Sequence, residues 1–255
     1  DAWGDFMRAI VESEKGLPVL SHLLLFEIPG SVGCTDVVNA GGPFVAALAS
    51  GKLPSLKEVD RRGESRVFFL DEGGLGVLCD GVRRGQFPRE MCQIGFGLCI
   101  HSPPPMIDPL FRAIAESEKG LPPSIETLDL TRGRLGEEGL ASFAASEGKL
   151  SHLKSLTLAE CDINDNRLKR LGDAFAGCVC PNLKALHLGF NRVTSAGVAA
   201  FCEALTPRSS SLPKLENLRF NPLKAAEGEG TVWETLYCVV EFLRSPGSVA
   251  ALIPT

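Results

Sequence analysis

Leu183-Lys184-Ala185-Leu186-His187-Leu188-Gly189-Phe190-Asn191 places apolar residues at its first, fourth and sixth positions and an Asn at its ninth. The spacing apolar-x-x-apolar-x-apolar starts again at Ile125, Leu153 and Leu215, so the steps are 28, 30 and 32 residues. Upstream, Leu20-x-x-Leu23-x-Leu25 and Met91-x-x-Ile94-x-Phe96 fit. Leu56-x-x-Val59 fits in part, because Arg61 stands where an apolar residue belongs. These upstream steps are 36, 35 and 34 residues. Residues 8–18 (RAIVESEKGLP) return as 112–122 (RAIAESEKGLP) with ten of eleven positions identical, at an offset of 104, about three of the longer steps. Repetition at this period is the signature of a solenoid.

The flanks of each triplet are equally regular. An apolar–Pro junction precedes most of them, as at Leu17-Pro18, Leu53-Pro54, Phe87-Pro88, Leu121-Pro122, Cys180-Pro181 and Leu212-Pro213. Proline stops the preceding helix and favours extended backbone. Leu150-Ser151 departs from this junction, yet Gly16, Gly51, Gly85, Gly120 and Gly148 all stand just before the junction places, where glycine supplies a left-handed helix cap. A helical apolar spacing follows the triplets: Gly74-Leu75-x-x-Leu78, Gly139-Leu140-x-x-Phe143, and Gly197-Val198-x-x-Phe201 with Leu205. Leu168, Leu171 and Phe175 take these places in another unit, and Gly42 with Phe44 and Leu48 is a looser version. One unit is therefore a short strand, a turn and a helix. Such a unit cannot bury its own apolar face, so stacked neighbours must share one core. The predicted fold is α/β: a curved solenoid, with parallel strands on the concave face and helices on the convex face.

These residues resemble the leucine-rich repeat family. The strand–helix unit near 28 residues, with its Gly-apolar helix start, is similar to the ribonuclease-inhibitor-like subclass. That subclass includes ribonuclease inhibitor, the sensor domains of NOD-like receptors and Ran GTPase-activating protein. The resemblance is fullest over 121–223 and looser over 1–120. The family places Asn or Cys at the ninth position to bond the turn. Asn191, Cys161 and Cys99 fit, whereas Gly133, Leu223 and Ile28 do not, so irregular turns are expected there. About seven repeats in a single domain over 1–255 are expected, irregular near 60–72. The helix expected over 231–244 would cap the stack, and a loose tail would follow from Ser245.

Composition narrows the function. A charge of −5, from 26 basic and 31 acidic residues, argues against a nucleic-acid binder. One Tyr and two Trp leave few stacking platforms for single strands. Nine cysteines in a chain this long fit free thiols in a reducing compartment better than a disulfide framework, so a cytoplasmic location is expected. No apolar run reaches the ~18 residues of a membrane span, and no secretory leader is visible. Asp1 running directly into a helical pattern is compatible with a piece of something longer.

Sharper motifs each have a plainer explanation. Gly73-Gly74-Leu75-Gly76 lacks both GxGxxG spacing and a following Lys-Ser or Lys-Thr. Cys178-x-Cys180 lacks the spacing and further ligands of a zinc site, and Cys180 takes a core junction place. Asp162, Asp165 and Asp173, with Asn164 and Asn166, lack the Gly and closing Glu of a calcium loop; a polar turn and helix cap explain them. His22, His101, His152 and His187 form no signature of a nucleophile–base pair. The Glu-Ser-Glu-Lys shared by the duplicated segments is expected to be a solvated helix end. No catalytic, metal or cofactor site is therefore expected.

Alternate strand residues face opposite ways, which defines an expected concave ladder. It comprises His22, Leu24 and Phe26; Glu58 and Asp60; Gln93; Thr127, Asp129 and Arg132; Ser155, Thr157 and Glu160; His187 and Phe190; Asn217 and Arg219. The resemblance implies a protein partner bound on this face, and an interaction scaffold that is not an enzyme. The expected partner-binding residues are His22, Phe26, Asp129, Arg132, Thr157, Glu160, His187, Phe190, Asn217 and Arg219. The alternative is an activator of a small GTPase, like Ran GTPase-activating protein.

Overall fold

The computed structural model describes residues 2–25, 34–61, 67–88, 94–98, 104–205, 212–220 and 251–252. Helices and strands alternate along the chain: α1 (Ala2–Glu12), β1 (His22–Leu25), α2 (Cys34–Ala49), β2 (Glu58–Arg61), β3 (Val67–Leu70), α3 (Glu72–Arg84), β4 (Ile94–Leu98), α4 (Asp108–Glu116), β5 (Ile125–Asp129), α5 (Glu137–Ala144), β6 (Ser155–Thr157), α6 (Asp165–Ala176), β7 (Ala185–His187), α7 (Ser195–Leu205), β8 (Asn217–Arg219) and β9 (Ala251–Leu252). Strands β3 to β9 form one parallel sheet in chain order, and each pairs only with its sequence neighbours. That order is the solenoid the repeat predicts. The expected capping helix over 231–244 and the tail from 245 to 250 lie outside the described residues.

The central leucines of successive triplets stand in one row. Phe96, Leu128, Leu156, Leu186 and Leu218 are register partners across β4 to β8, and all are buried. Burying each Leu side chain contributes about 1.5–3 kcal/mol. Beneath the row runs a second spine of Phe111, Phe143, Phe175, Phe201 and Phe220. Its ring centroids are 5.2, 5.3, 6.3 and 6.1 Å apart, each pair edge to face. One phenylalanine per unit thus touches the one above and the one below, which couples neighbouring units through their cores.

The turns after the strands repeat as well. Asn191 Oδ1 accepts hydrogen bonds from Cys161 N at 2.9 Å and Ile163 N at 3.1 Å. Its Nδ2 donates to the carbonyls of Leu158, Leu188 and Gly189. Cys161 at the same place in the preceding unit donates its thiol to Leu130 O at 3.1 Å. Gly133, where an irregular turn was expected, keeps the common path. Arg134 bridges Met106 in parallel, as Arg192 bridges Asn164. Glycine is needed there because a Cβ would lie 2.4 Å from Ile107 Cγ2 and 2.8 Å from Leu98 Cδ1.

The five junction glycines all have positive φ, between 61° and 73°. Cys178, with φ 61°, takes the same place before Val179-Cys180. The duplicated segment is a docking cap as well as a solvated helix end. Leu17 N and Leu121 N donate to Lys52 O and Lys149 O of the next unit. Lys52 Nζ returns a bond to Ser13 O at 2.8 Å, and Lys149 Nζ returns one to Ala115 O. Ser117 is buried and donates to Val82 O at 3.0 Å.

Two readings change in the N-terminal half. First, β4 is paired so that Phe96, not Ile94, stands beside Leu128. The triplet there is Gln93-x-x-Phe96-x-Leu98, two residues later than its apolar pattern suggests, because Met91-x-x-Ile94 imitates the spacing. The ninth position moves from Cys99 to His101, and both lie outside the described residues. Second, the 56–72 region holds two strands. β2 pairs with β1, while β3 opens the long sheet by pairing Phe68 with Phe96. Phe68 and Leu70 are buried, and Phe68 stacks on Phe44 of α2 with centroids 4.3 Å apart. Gly42 does not start a helix. It lies inside α2, where a Cβ would meet Gly74 Cα at an ordinary 3.4 Å; the tighter fit is at Gly74 of α3, where a Cβ would lie 3.1 Å from Gly42 Cα.

Candidate functional site

The described part of the concave face is built from two rows of outward strand residues and one row of turn residues. The first strand row pairs Gly95, Thr127, Ser155, Ala185 and Asn217 from β4 to β8. The second pairs Gly97, Asp129, Thr157, His187 and Arg219. Small or short side chains fill most of the first row, while His187 and Arg219 are the largest of the second. Thr127, Asp129, Ser155, Thr157, His187, Asn217 and Arg219 are half-buried, as a shallow lining would be.

The third row is formed by Arg132, Glu160 and Phe190, each four residues past a central leucine. All three have positive φ, at 66°, 54° and 56°. Left-handed backbone costs a residue with a side chain about 1–3 kcal/mol, and it turns these side chains outward along the rim. Arg132 Nε lies 3.6 Å from Glu160 Oε2. Phe190 is 71% exposed, against 42–43% for Phe6 and Met106. It is the most exposed aromatic side chain among the described residues.

Charges along the two strand rows are unevenly placed. Asp129 Oδ1 accepts from both the backbone N and the Oγ1 of Thr131, at 3.1 and 2.6 Å. Glu126 and Glu216, at the lower edge of the sheet, pair with Lys154 at 2.7 Å and Lys184 at 3.2 Å. Arg219 has no carboxylate within ion-pair distance among the described residues, and its Nε is buried without a hydrogen-bond partner. Partial burial lowers the His187 pKa, the neighbouring Arg219 charge lowers it further, and Asp129 opposes both.

The structure therefore brings together Asp129, Thr157, His187 and Arg219 in one row, Asn217 beside Arg219, and Arg132, Glu160 and Phe190 along the rim. His22 is exposed on β1, with its Nδ1 2.8 Å from Ser21 Oγ, in the separate two-stranded sheet. Leu24, Glu58 and Asp60 lie on β1 and β2. Phe26 and Gln93 lie outside the described residues. Sequence reasoning missed Gly95 and Gly97, which leave β4 without outward side chains. The alternation Gly95-Phe96-Gly97-Leu98 signals it once the triplet is read two residues later.

Other motifs resolve into structural parts. Asn164 Oδ1 caps α6 by accepting from Arg167 N at 3.0 Å. Asp165 accepts from Thr194 N at 2.8 Å and Thr194 Oγ1 at 2.6 Å, joining adjacent units. Asp71 caps α3 through Gly74 N at 2.7 Å. Burial raises the thiol of Cys79 to about 11 and that of Cys161 to about 12, and it pushes Cys180 up as well. No helix among the described residues is long and apolar enough to cross a membrane.

A search of curated proteins finds no match to this sequence. Among solved structures, an internalin from Listeria monocytogenes is similar at 12% identity, over 98% of this chain and 89% of that chain, with a TM-score of 0.31. Residues 179–202, which span the Asn191 turn and the start of α7, match the family model described as Leucine Rich repeat. That match shows one leucine-rich repeat at 179–202, and the neighbouring strand–turn–helix units stack on it in the same parallel register.

Proposed function

We propose that this chain is a protein–protein interaction scaffold that binds its partner through the concave face, in the manner of the ribonuclease-inhibitor-like subclass. Phe190 carries the proposal. It is a large aromatic residue, 71% exposed, in a left-handed backbone conformation that favours glycine. Aromatic and Arg side chains are the usual anchors of protein interfaces. Phe190 has His187 three residues before it, and Arg219 is the register partner of His187. No described feature of this face favours the activator of a small GTPase.

Photo-crosslinking tests the assignment. A benzoylphenylalanine placed at position 190 is expected to capture a specific protein that the unlabelled chain competes away. The same group at Glu147, on the helical side, should not capture it. With that partner purified, Phe190→Ala should weaken binding by about tenfold or more. Capture from position 147 and not from 190 would refute the concave placement.

A further inference from the structure

We infer that the β7–β8 end of the concave face recognises an acidic segment of a partner protein, with a carboxylate seated on Arg219 and an adjacent apolar side chain against Phe190. The inference rests on the proposed concave docking face and adds the chemistry of its occupant. Every carboxylate described on or beside this face is already engaged. Glu160 faces Arg132, Glu126 faces Lys154, Glu216 faces Lys184, and Asp129 is held by Thr131. Arg219 differs: its guanidinium is half-buried, meets no described carboxylate, and has an Nε shut from water without an acceptor.

The nearest carboxylate in its row is Asp129. Three strand spacings separate them in register, about 14 Å of backbone at ~4.8 Å per strand. Thr157 and His187 fill the interval, and neither supplies an anion. The Arg219 charge is felt by His187, which it helps keep neutral. A neutral imidazole beside a guanidinium leaves one ring N–H to donate to the same anion. A planar guanidinium takes a carboxylate through paired hydrogen bonds, and these are stronger where water is partly excluded.

An apolar contact completes the site, because Phe190 rises from the turn that follows His187. The face is therefore polar along its length, with a cation toward β8 and an anion at β5. A segment lying across the strands is recognised with its acid over Arg219 and its donors over Asp129.

A phage-displayed library of random dodecapeptides, panned against the full chain, tests this. Enriched peptides should carry Asp or Glu next to an apolar residue. A synthetic peptide of the enriched sequence should lose about tenfold or more in affinity on Arg219→Gln. Arg219→Lys should fall between, Arg192→Gln, at an exposed arginine already paired with Asp162, should change little, and added salt should weaken binding. Enriched peptides without acids, no enrichment, or unchanged affinity on Arg219→Gln would overturn the inference. If Phe190→Ala still abolished binding in the last case, the concave docking face would stand and only the acid recognition would fail.

Discussion

Removing the Asn191 side chain offers a direct measure of how the turns are held. In Asn191→Ala, the backbone N–H groups of Cys161 and Ile163 lose the acceptor now 2.9 and 3.1 Å away. The carbonyls of Leu158 and Leu188 lose donors at 2.7 and 3.0 Å. Leaving a buried donor unsatisfied costs about 1–3 kcal/mol. Asn191 is half-buried, so water can repair some of the carbonyls, and counting the two N–H groups alone gives about 2–6 kcal/mol. Urea unfolding followed by circular dichroism reads this as a lowered midpoint. Asn191→Asp separates acceptor from donor. It keeps oxygens for the two N–H groups but sets an anionic oxygen against three carbonyls, so at neutral pH it should do no better than alanine. A loss below about 1 kcal/mol in Asn191→Ala, or an Asp variant as stable as wild type, would refute the account.

Four further outcomes are expected. Phe175→Ala, in the middle of the aromatic spine, should cost about 3–5 kcal/mol by urea unfolding. Gly120→Ala should destabilise more than Gly148→Ala. Both require positive φ, but a Cβ at 120 would lie 2.5 Å from Lys149 O and Cβ, while one at 148 meets nothing within 4 Å. His187 has a lowered pKa, so the unfolded chain binds its proton first as pH falls. Stability should therefore decline from the ordinary histidine value near 6.5 down to the lower folded value, and this part of the slope should vanish in His187→Gln. Iodoacetamide at neutral pH should modify half-exposed Cys178 and spare Cys79 and Cys161, whose buried thiols ionise only near 11 and 12. Site-resolved mass spectrometry reads the order, and early labelling of Cys161 would contradict its burial.

The C-terminal half of the fold was legible because each unit repeats its spacing with the same residue types. Leu128, Leu156, Leu186 and Leu218 needed only counting to be placed in one row. The five junction glycines were legible for a physical reason: few other residues accept the left-handed cap. The N-terminal half obscured its register because several phases are apolar at once. Met91-Ile94-Phe96 satisfies the triplet, but pairing Phe96 with Leu128 buries Phe96 and Leu98 and leaves glycine at both outward positions. The second strand near 67–70 was hidden because Val67-Phe68-Phe69-Leu70 is a continuous apolar run without alternation, which period alone cannot assign.

The rim residues show how far counting reaches into function. Arg132, Glu160 and Phe190 were placed by their offset from each triplet, whereas their left-handed backbone was not foreseen. Local preference would put glycine or asparagine there, and Gly189 stands one position too early to serve. The turn must reverse at that point to bring residue 191 under the strands, where its amide bonds the neighbouring unit. The residue at 190 is therefore forced outward by the same bonds that hold Asn191. Strain at the rim and satisfaction in the turn are two sides of one geometry. Where two adjacent units place Arg132 and Glu160 there, the side chains answer one another. Phe190 meets no such partner among the described residues and is largely exposed. That asymmetry, added to the Arg219 guanidinium one strand further on, which meets no carboxylate among the described residues, directs the search for a partner to the β7–β8 end of the sheet.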